Sequence, residues 1–190
     1  MATALFVIDI QNDLATDPNT KIPHSDRIKT ASGWILSSAR AALESNTPGG
    51  SRPSLIVFVQ HEESPESGPL VRGSEPWKLV FEPRAGVAKE RLVAKSARST
   101  FESNPNLASE LRAVGVKEIV AFGIQSECCV ESTCNSALEA GFGVTVLSGA
   151  HSTYDDSGKS AVDIEREVEE RLKTKGAKIV PWENAIAGWE

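Results

Sequence analysis

A chain of 190 residues with 40% hydrophobic and 24% charged side chains is long enough to bury one substantial core, which excludes a disordered or fibrous class. Its net charge of -6, with lysines and arginines scattered rather than clustered, argues against nucleic acid or an anionic membrane as partner and favours a small molecule. No stretch approaches the roughly 18 apolar residues of a membrane span, Met1 to Asp9 lacks the basic lead of a secretory signal, and Cys128, Cys129 and Cys134 lie too close together to staple distant segments, so the sequence reads as a soluble, cytoplasmic protein.

The run Ala4 to Ile8 is continuously apolar and ends at Asp9, the pattern of a strand buried on both faces of a parallel sheet. A polar loop, Asn12 to Ser25, leads to helical spacing at Ile28, Ala31, Ile35 and Ala39, with Ser25 as N-cap. Asn46 to Pro53 reads as a surface loop, and Leu55 to Val59 as a second buried strand that stops at Gln60 and His61. Pattern is then lost from Glu62 to Arg91, a length that usually marks a functional loop or lid. Leu92 to Ala94 forms a short third strand before Lys95, and Asn104 with Pro105 predicts a capped helix whose apolar face is Leu107, Leu111 and Val114 and whose stop is Gly115. Ile119 to Phe122 is a fourth strand. It feeds a turn, Gly123 to Val130, and a helix with Val130, Cys134, Ala137 and Leu138 inward, closed by Gly141. Val144 to Leu147 and Ala177 to Val180 are further strands around a helix over Ser160 to Lys173 with Val162, Val168 and Leu172 inward. Alternation of this kind predicts an α/β single domain over residues 1–190, a doubly wound, Rossmann-like, six-stranded and mostly parallel sheet with helices on both faces.

In such a sheet ligands bind outside the carboxyl ends of the strands where strand order reverses. With order 3-2-1-4-5-6, Asp9 lies beside the cysteine turn, and His61 and Lys95 share that edge. A thiol in a first helical turn is biased toward thiolate, a carboxylate can take and return its proton, and an ammonium can balance the charge, a set suited to acyl transfer. If Ser126 is the N-cap, Cys128 and Cys129 are the second and third helical residues. About 100° of rotation then separates them, only one faces the crevice, and spacing does not say which.

The pieces Val7-Ile8-Asp9-Ile10-Gln11, Lys95-Ser96-Ala97-Arg98-Ser99-Thr100-Phe101 and Gly123 to Val130, with Thr133, Ala137 and Gly141, together resemble the isochorismatase-like cysteine hydrolases from Ala4 to about Tyr154. That resemblance implies Cys129, directly before Val130, as nucleophile, Asp9 as acid/base and Lys95 as third member of the triad. It also implies a cis peptide at Ile124-Gln125, with the backbone NH groups of Gln125 and Cys129 as oxyanion donors. The metal-binding nicotinamidases carry an Asp-x-His motif after the second strand, where this chain reads Gln60-His61-Glu62-Glu63, and His24, His61 and His151 share no ligand spacing, so no metal and no other cofactor is expected. The chain looks more like the N-carbamoylsarcosine and ureide amidohydrolases, with Gln11, His61, Trp77 and Phe101 as substrate-pocket residues. The resemblance implies a hydrolase that cleaves a C–N bond of a small amide, ureide or carbamoyl compound through a thioester, in a dimer or larger homo-oligomer. Two alternatives remain: vinyl-ether hydrolysis of the isochorismatase type, and a thiol redox sensor or binding module using Cys128 and Cys129.

Overall fold

The computed structural model describes residues 2–45 and 52–189. Strands β1 (Ala2–Ile8), β2 (Pro53–His61), β3 (Glu90–Lys95), β4 (Val116–Ile124), β5 (Gly143–Ser152) and β6 (Lys178–Pro181) form one sheet in the order β3-β2-β1-β4-β5-β6. Every pairing is parallel. The continuous apolar runs follow from that arrangement. In β1, Ala4, Phe6 and Ile8 enter the core on one face while Leu5 and Val7 enter the core on the other, and β2 and β4 alternate in the same way. Each large side chain removed from water contributes about 1.5–3 kcal/mol, and β1, β2 and β4 contribute such side chains to both cores.

One face is covered by α1 (Asn12–Ala15), α2 (Ser25–Glu44) and α7 (Trp182–Ala187). The other carries α3 (Thr100–Ser103), α4 (Leu107–Ala113), α5 (Glu131–Glu139) and α6 (Ala161–Thr174). The short helices α1, α3 and α7 escape the sequence pattern because four to six residues are too few to show a helical period.

Several local expectations are corrected. Helix α2 starts at Ser25 itself, so Ser25 caps nothing and its buried hydroxyl has no partner. Asn104 ends α3 rather than starting α4. Its side-chain amide donates to the carbonyls of Ala94 and Thr100, each at 3.0 Å, and α4 begins only after Asn106. Val114 lies past the last turn of α4 and is half exposed, and Gly115 then reverses the chain at φ +84°. Val162 is exposed: Ala161, Ile164, Val168 and Leu172 form the inward stripe of α6, and Val162 lies about 100° round the helix from Ala161. The loop expected over 46–53 lies outside the described residues up to Ser51, and Pro53 already belongs to β2.

The unpatterned segment between β2 and β3 is stitched down rather than free. Asn12 N and Asp13 N donate to the carbonyls of Lys78 and Pro76, and Val80 N donates to that of Ile10. Near its end the buried Glu90 carboxylate accepts from the guanidinium groups of Arg40 and Arg84.

Candidate active site

β1, β2, β3 and β4 end at one edge, and the register there decides which side chains meet. His61 and Lys95 are paired across β2 and β3, so both side chains point to the same side. β1 and β4 come unusually close: a Cβ at Gly123 would fall 2.0 Å from the Ile8 carbonyl oxygen, and Gly123 has φ +138°. Only glycine fits there. Just beyond β1, Asp9 takes the left-handed conformation (φ +49°), in which its buried carboxylate meets the Lys95 ammonium at 2.7 Å. The ammonium also lies 3.2 Å from Cys129 Sγ, 3.0 Å from His61 Nδ1 and 3.2 Å from the Ala97 carbonyl. Although Asp9 Oδ2 is so near the lysine, neither Asp9 oxygen accepts a well-directed hydrogen bond.

The cysteine turn, Ser126–Val130, is wound more widely than an α-helix, with Val130 N donating to the Gln125 carbonyl five residues back at 3.1 Å. The residue flanking its start is Gln125, not Ser126, and the Ile124-Gln125 peptide is cis. Wider winding turns successive side chains through a smaller angle, and Cys128 and Cys129 both line the cavity. This corrects the expectation that only one would face it. Cys129 alone reaches the lysine. Ser126 turns its hydroxyl away from the helix start and pairs with His151 Nδ1 at 2.8 Å, while His151 Nε2 meets Glu169 Oε1 at 3.1 Å. Buried hydroxyl contacts fix the lysine loop against the cysteine helix in turn: Ser99 donates to Ser136 at 2.7 Å, and Thr100 pairs with Thr133 at 3.0 Å.

Burial pushes the Cys129 thiol well above its ordinary pKa, the Asp9 carboxylate adds to that, and Lys95 offsets only part of it. The expected bias toward thiolate is therefore corrected. A largely desolvated sulfur beside a carboxylate keeps its proton, whatever the helix start contributes. Cys128 is raised as well, by burial and then by Glu127. Burial pulls Lys95 down, but Asp9 and Cys129 outweigh it and its pKa is raised, so it stays an ammonium. His61 is lowered, first by burial and next by the Lys95 charge, and is a neutral imidazole at pH 7.

These groups open on a cavity of about 290 Å³ whose walls include Asp9, His61, Gln125, Cys128 and Cys129. Of the four expected pocket residues only His61 lines it. Gln11 is fully buried and satisfies its amide on the backbone of His61 and the carbonyl of Trp77, as a buried polar group must. Trp77 supplies that carbonyl and does not line the cavity. Phe101 stacks on Phe6 in the core, with ring centroids 6.0 Å apart. The missed lining residues include Asp13, Glu63, Arg98 and Tyr154. Asp13 and Arg98 follow β1 and β3 closely, and their nearness to two strand ends was the signal that could have found them. Among the described residues one group of three possible metal donors stands together, Asp9, His61 and Cys129, with donor atoms within 4.8 Å of one another. The Lys95 ammonium already sits among them, at 2.7, 3.0 and 3.2 Å, so the cation at their centre is the lysine's own.

A family model described as the isochorismatase domain matches residues 3–180. A streptothricin hydrolase of Streptomyces noursei is 32% identical over 154 residues, which cover 80% of this chain and 55% of that protein. The isochorismatase family protein YddQ of Bacillus subtilis is 31% identical, over 80% of this chain and 79% of its own length. The chain spans a little more than half the length of the streptothricin hydrolases that it matches. In fold it resembles a cysteine hydrolase from Pseudomonas syringae pv. phaseolicola, at a TM-score of 0.80 and 20% identity, covering 98% of this chain and 92% of that one.

Proposed function

The chain belongs to the isochorismatase family, and from that premise we propose that it is a metal-independent cysteine hydrolase that cleaves a C–N bond in a small amide, ureide or carbamoyl compound through a thioester. One observation carries this reading: a buried carboxylate and a thiol, Asp9 and Cys129, share one ammonium at 2.7 and 3.2 Å on the wall of a small cavity. The name of the streptothricin hydrolases, relatives at 29–32% identity, supports hydrolysis as the reaction type.

Because Cys129 is held protonated, attack needs a base within reach, and Asp9, paired with the Lys95 ammonium at 2.7 Å and near enough to the thiol to raise its pKa, is that base. The S–H proton passes first to Asp9; the thiolate so formed bonds to the substrate carbonyl carbon, and the carbonyl electron pair moves to oxygen. The backbone NH groups of Gln125 and Cys129 donate to that oxyanion. Collapse breaks the C–N bond while Asp9 returns the proton to the leaving nitrogen. Water, with Asp9 again as base, then cleaves the thioester. Lys95 stays cationic throughout and offsets the negative charge wherever it lies.

Vinyl-ether hydrolysis needs no such thiol, and thiols held protonated are poor oxidant traps, so both alternatives fit the site less well. A homo-oligomer in a reducing cytoplasm is part of the proposal, supported by three free cysteines and by Trp34, 61% exposed on α2. Sedimentation giving a monomer would remove the oligomer from it.

The test is an activity screen against small amides, ureides and carbamoyl compounds, with mass spectrometry of the trapped enzyme. A covalent acyl adduct is expected on Cys129, and Cys129→Ala is expected to stay folded without turnover. Full turnover in Cys129→Ala would sink the reading.

A further inference from the structure

We propose that His61 is a positioning residue of this centre: its Nδ1, together with the Ala97 carbonyl, holds the Lys95 ammonium between Asp9 and Cys129 while negative charge passes from the carboxylate to the sulfur. The inference rests on the reading above. A lysine ammonium has three protons and accepts nothing, yet four acceptor atoms lie within 3.2 Å of Lys95 Nζ: Asp9 Oδ2, His61 Nδ1, the Ala97 oxygen and Cys129 Sγ.

Two of the four change charge during the reaction. In the resting site Asp9 is the anion and Cys129 a thiol; once the proton has moved, Asp9 is neutral and the sulfur is the anion. An ammonium tied only to those two would follow the charge, and in the resting site it could keep its 2.7 Å contact with Asp9, the charged one, while swinging away from Cys129. The other two contacts, His61 Nδ1 and the Ala97 carbonyl, keep the same charge at every step. They anchor the cation midway, so that it meets the thiolate as it forms without a movement of its own.

The role fixes the state of the ring. Nδ1 must accept from the ammonium, so the proton of the neutral imidazole lies on Nε2, which points toward Glu63 Oε1 at 3.9 Å. The charged groups facing His61 are Lys95, Asp9, Glu63 and Glu62. Burial and the lysine hold the ring below its ordinary pKa against the pull of the three carboxylates, which keeps Nδ1 an acceptor at neutral pH. The sheet itself imposes the pairing, since His61 and Lys95 are register partners on adjacent parallel strands.

The experiment follows alkylation of Cys129 by iodoacetamide, read peptide by peptide so that Cys128 is scored separately, across pH 6 to 9 for the full chain. His61→Ala is expected to slow Cys129 at pH 7 by about tenfold, with its pH profile displaced about one unit upward. His61→Asn, whose Oδ1 stands where Nδ1 did, is expected to recover most of the rate. A melting curve shows that both variants are folded. Wild-type reactivity in His61→Ala overturns the proposal, and so does His61→Asn behaving no better than His61→Ala, which would reduce His61 to packing. Because alkylation needs no substrate, failure here is distinct from failure of the hydrolase reading, which Cys129→Ala turnover decides.

Discussion

The cysteine turn has two polar sides that look alike on paper and differ in physics. Toward the cavity lie Asp9, Lys95 and Cys129; behind the turn lie Ser126, His151 and Glu169, a serine, a histidine and a carboxylate in hydrogen-bonded series at 2.8 and 3.1 Å. The rear set is closed. Ser126 and His151 are fully buried, both ring nitrogens have partners, and Ser126 does not line the cavity, so its hydroxyl has no substrate to attack. The front set is open: both Asp9 oxygens lack a well-directed hydrogen bond, and the thiol keeps a proton that only a base can remove. Satisfied polar groups hold a fold in place, whereas unsatisfied ones beside a cavity are free to do chemistry.

That contrast breaks most visibly at Cys129. Cys129→Ala is expected to lower turnover roughly a thousandfold or more while shifting stability by no more than about 1 kcal/mol, because a neutral thiol adds little to the charge balance. Parallel steady-state assays and urea denaturation check both halves. Asp9→Ala strands a buried ammonium, so about 3–5 kcal/mol of stability should go with the activity. Adding Lys95→Met to that variant should recover much of the stability and none of the turnover, and a double variant as unstable as the single one would contradict the ion-pair account. Behind the turn the order of effects reverses. His151→Ala leaves the Ser126 hydroxyl buried and unpaired, and the denaturation midpoint should show a loss of about 1–3 kcal/mol with a smaller effect on catalysis than any front-side variant.

The smallest effect is electrostatic. Burial pushes the Glu169 carboxyl up, but hydrogen bonds from His151 and Ser148 overcome this and hold its pKa below the ordinary glutamate value of 4.5. A carboxyl depressed by folding stabilises the protein above its unfolded pKa, and that contribution is lost as pH falls through the folded value. The stability difference between wild type and Glu169→Gln should therefore be full above about pH 5 and shrink on acidification. A gap that widens as the pH falls would reverse the assignment.

Much of the architecture was legible because buried parallel strands must be apolar on both faces, so Ala4 to Ile8, Leu55 to Val59 and Ile119 to Phe122 stand out as unbroken runs. Asp9, His61 and Lys95 were legible as polar residues at the carboxyl ends of β1, β2 and β3, although Asp9 and Lys95 are themselves buried. Helix ends were less legible. Asn104 looked like a cap, but its amide is drawn to the carbonyls of Ala94 and Thr100, a contact that local sequence does not encode. Gln11, Trp77 and Phe101 do not line the cavity for a similar reason: each sits near the edge in sequence but is engaged with the backbone or the core.

By itself the sequence determined the strands, their alternation with helices and the edge at which chemistry-bearing residues gather, because hydrophobic periodicity and strand–helix alternation are local properties. Only the tertiary structure decided the protonation of the site and the company each group keeps. Burial and the Asp9 carboxylate raise the Cys129 thiol against the pull of Lys95. His61 meets Lys95, 34 residues away, through the register of two strands, and Ser126 meets His151, 25 residues away, through the packing of β5 against the turn. Desolvation and distant pairing depend on what surrounds a residue in space, and neighbours along the chain do not specify that.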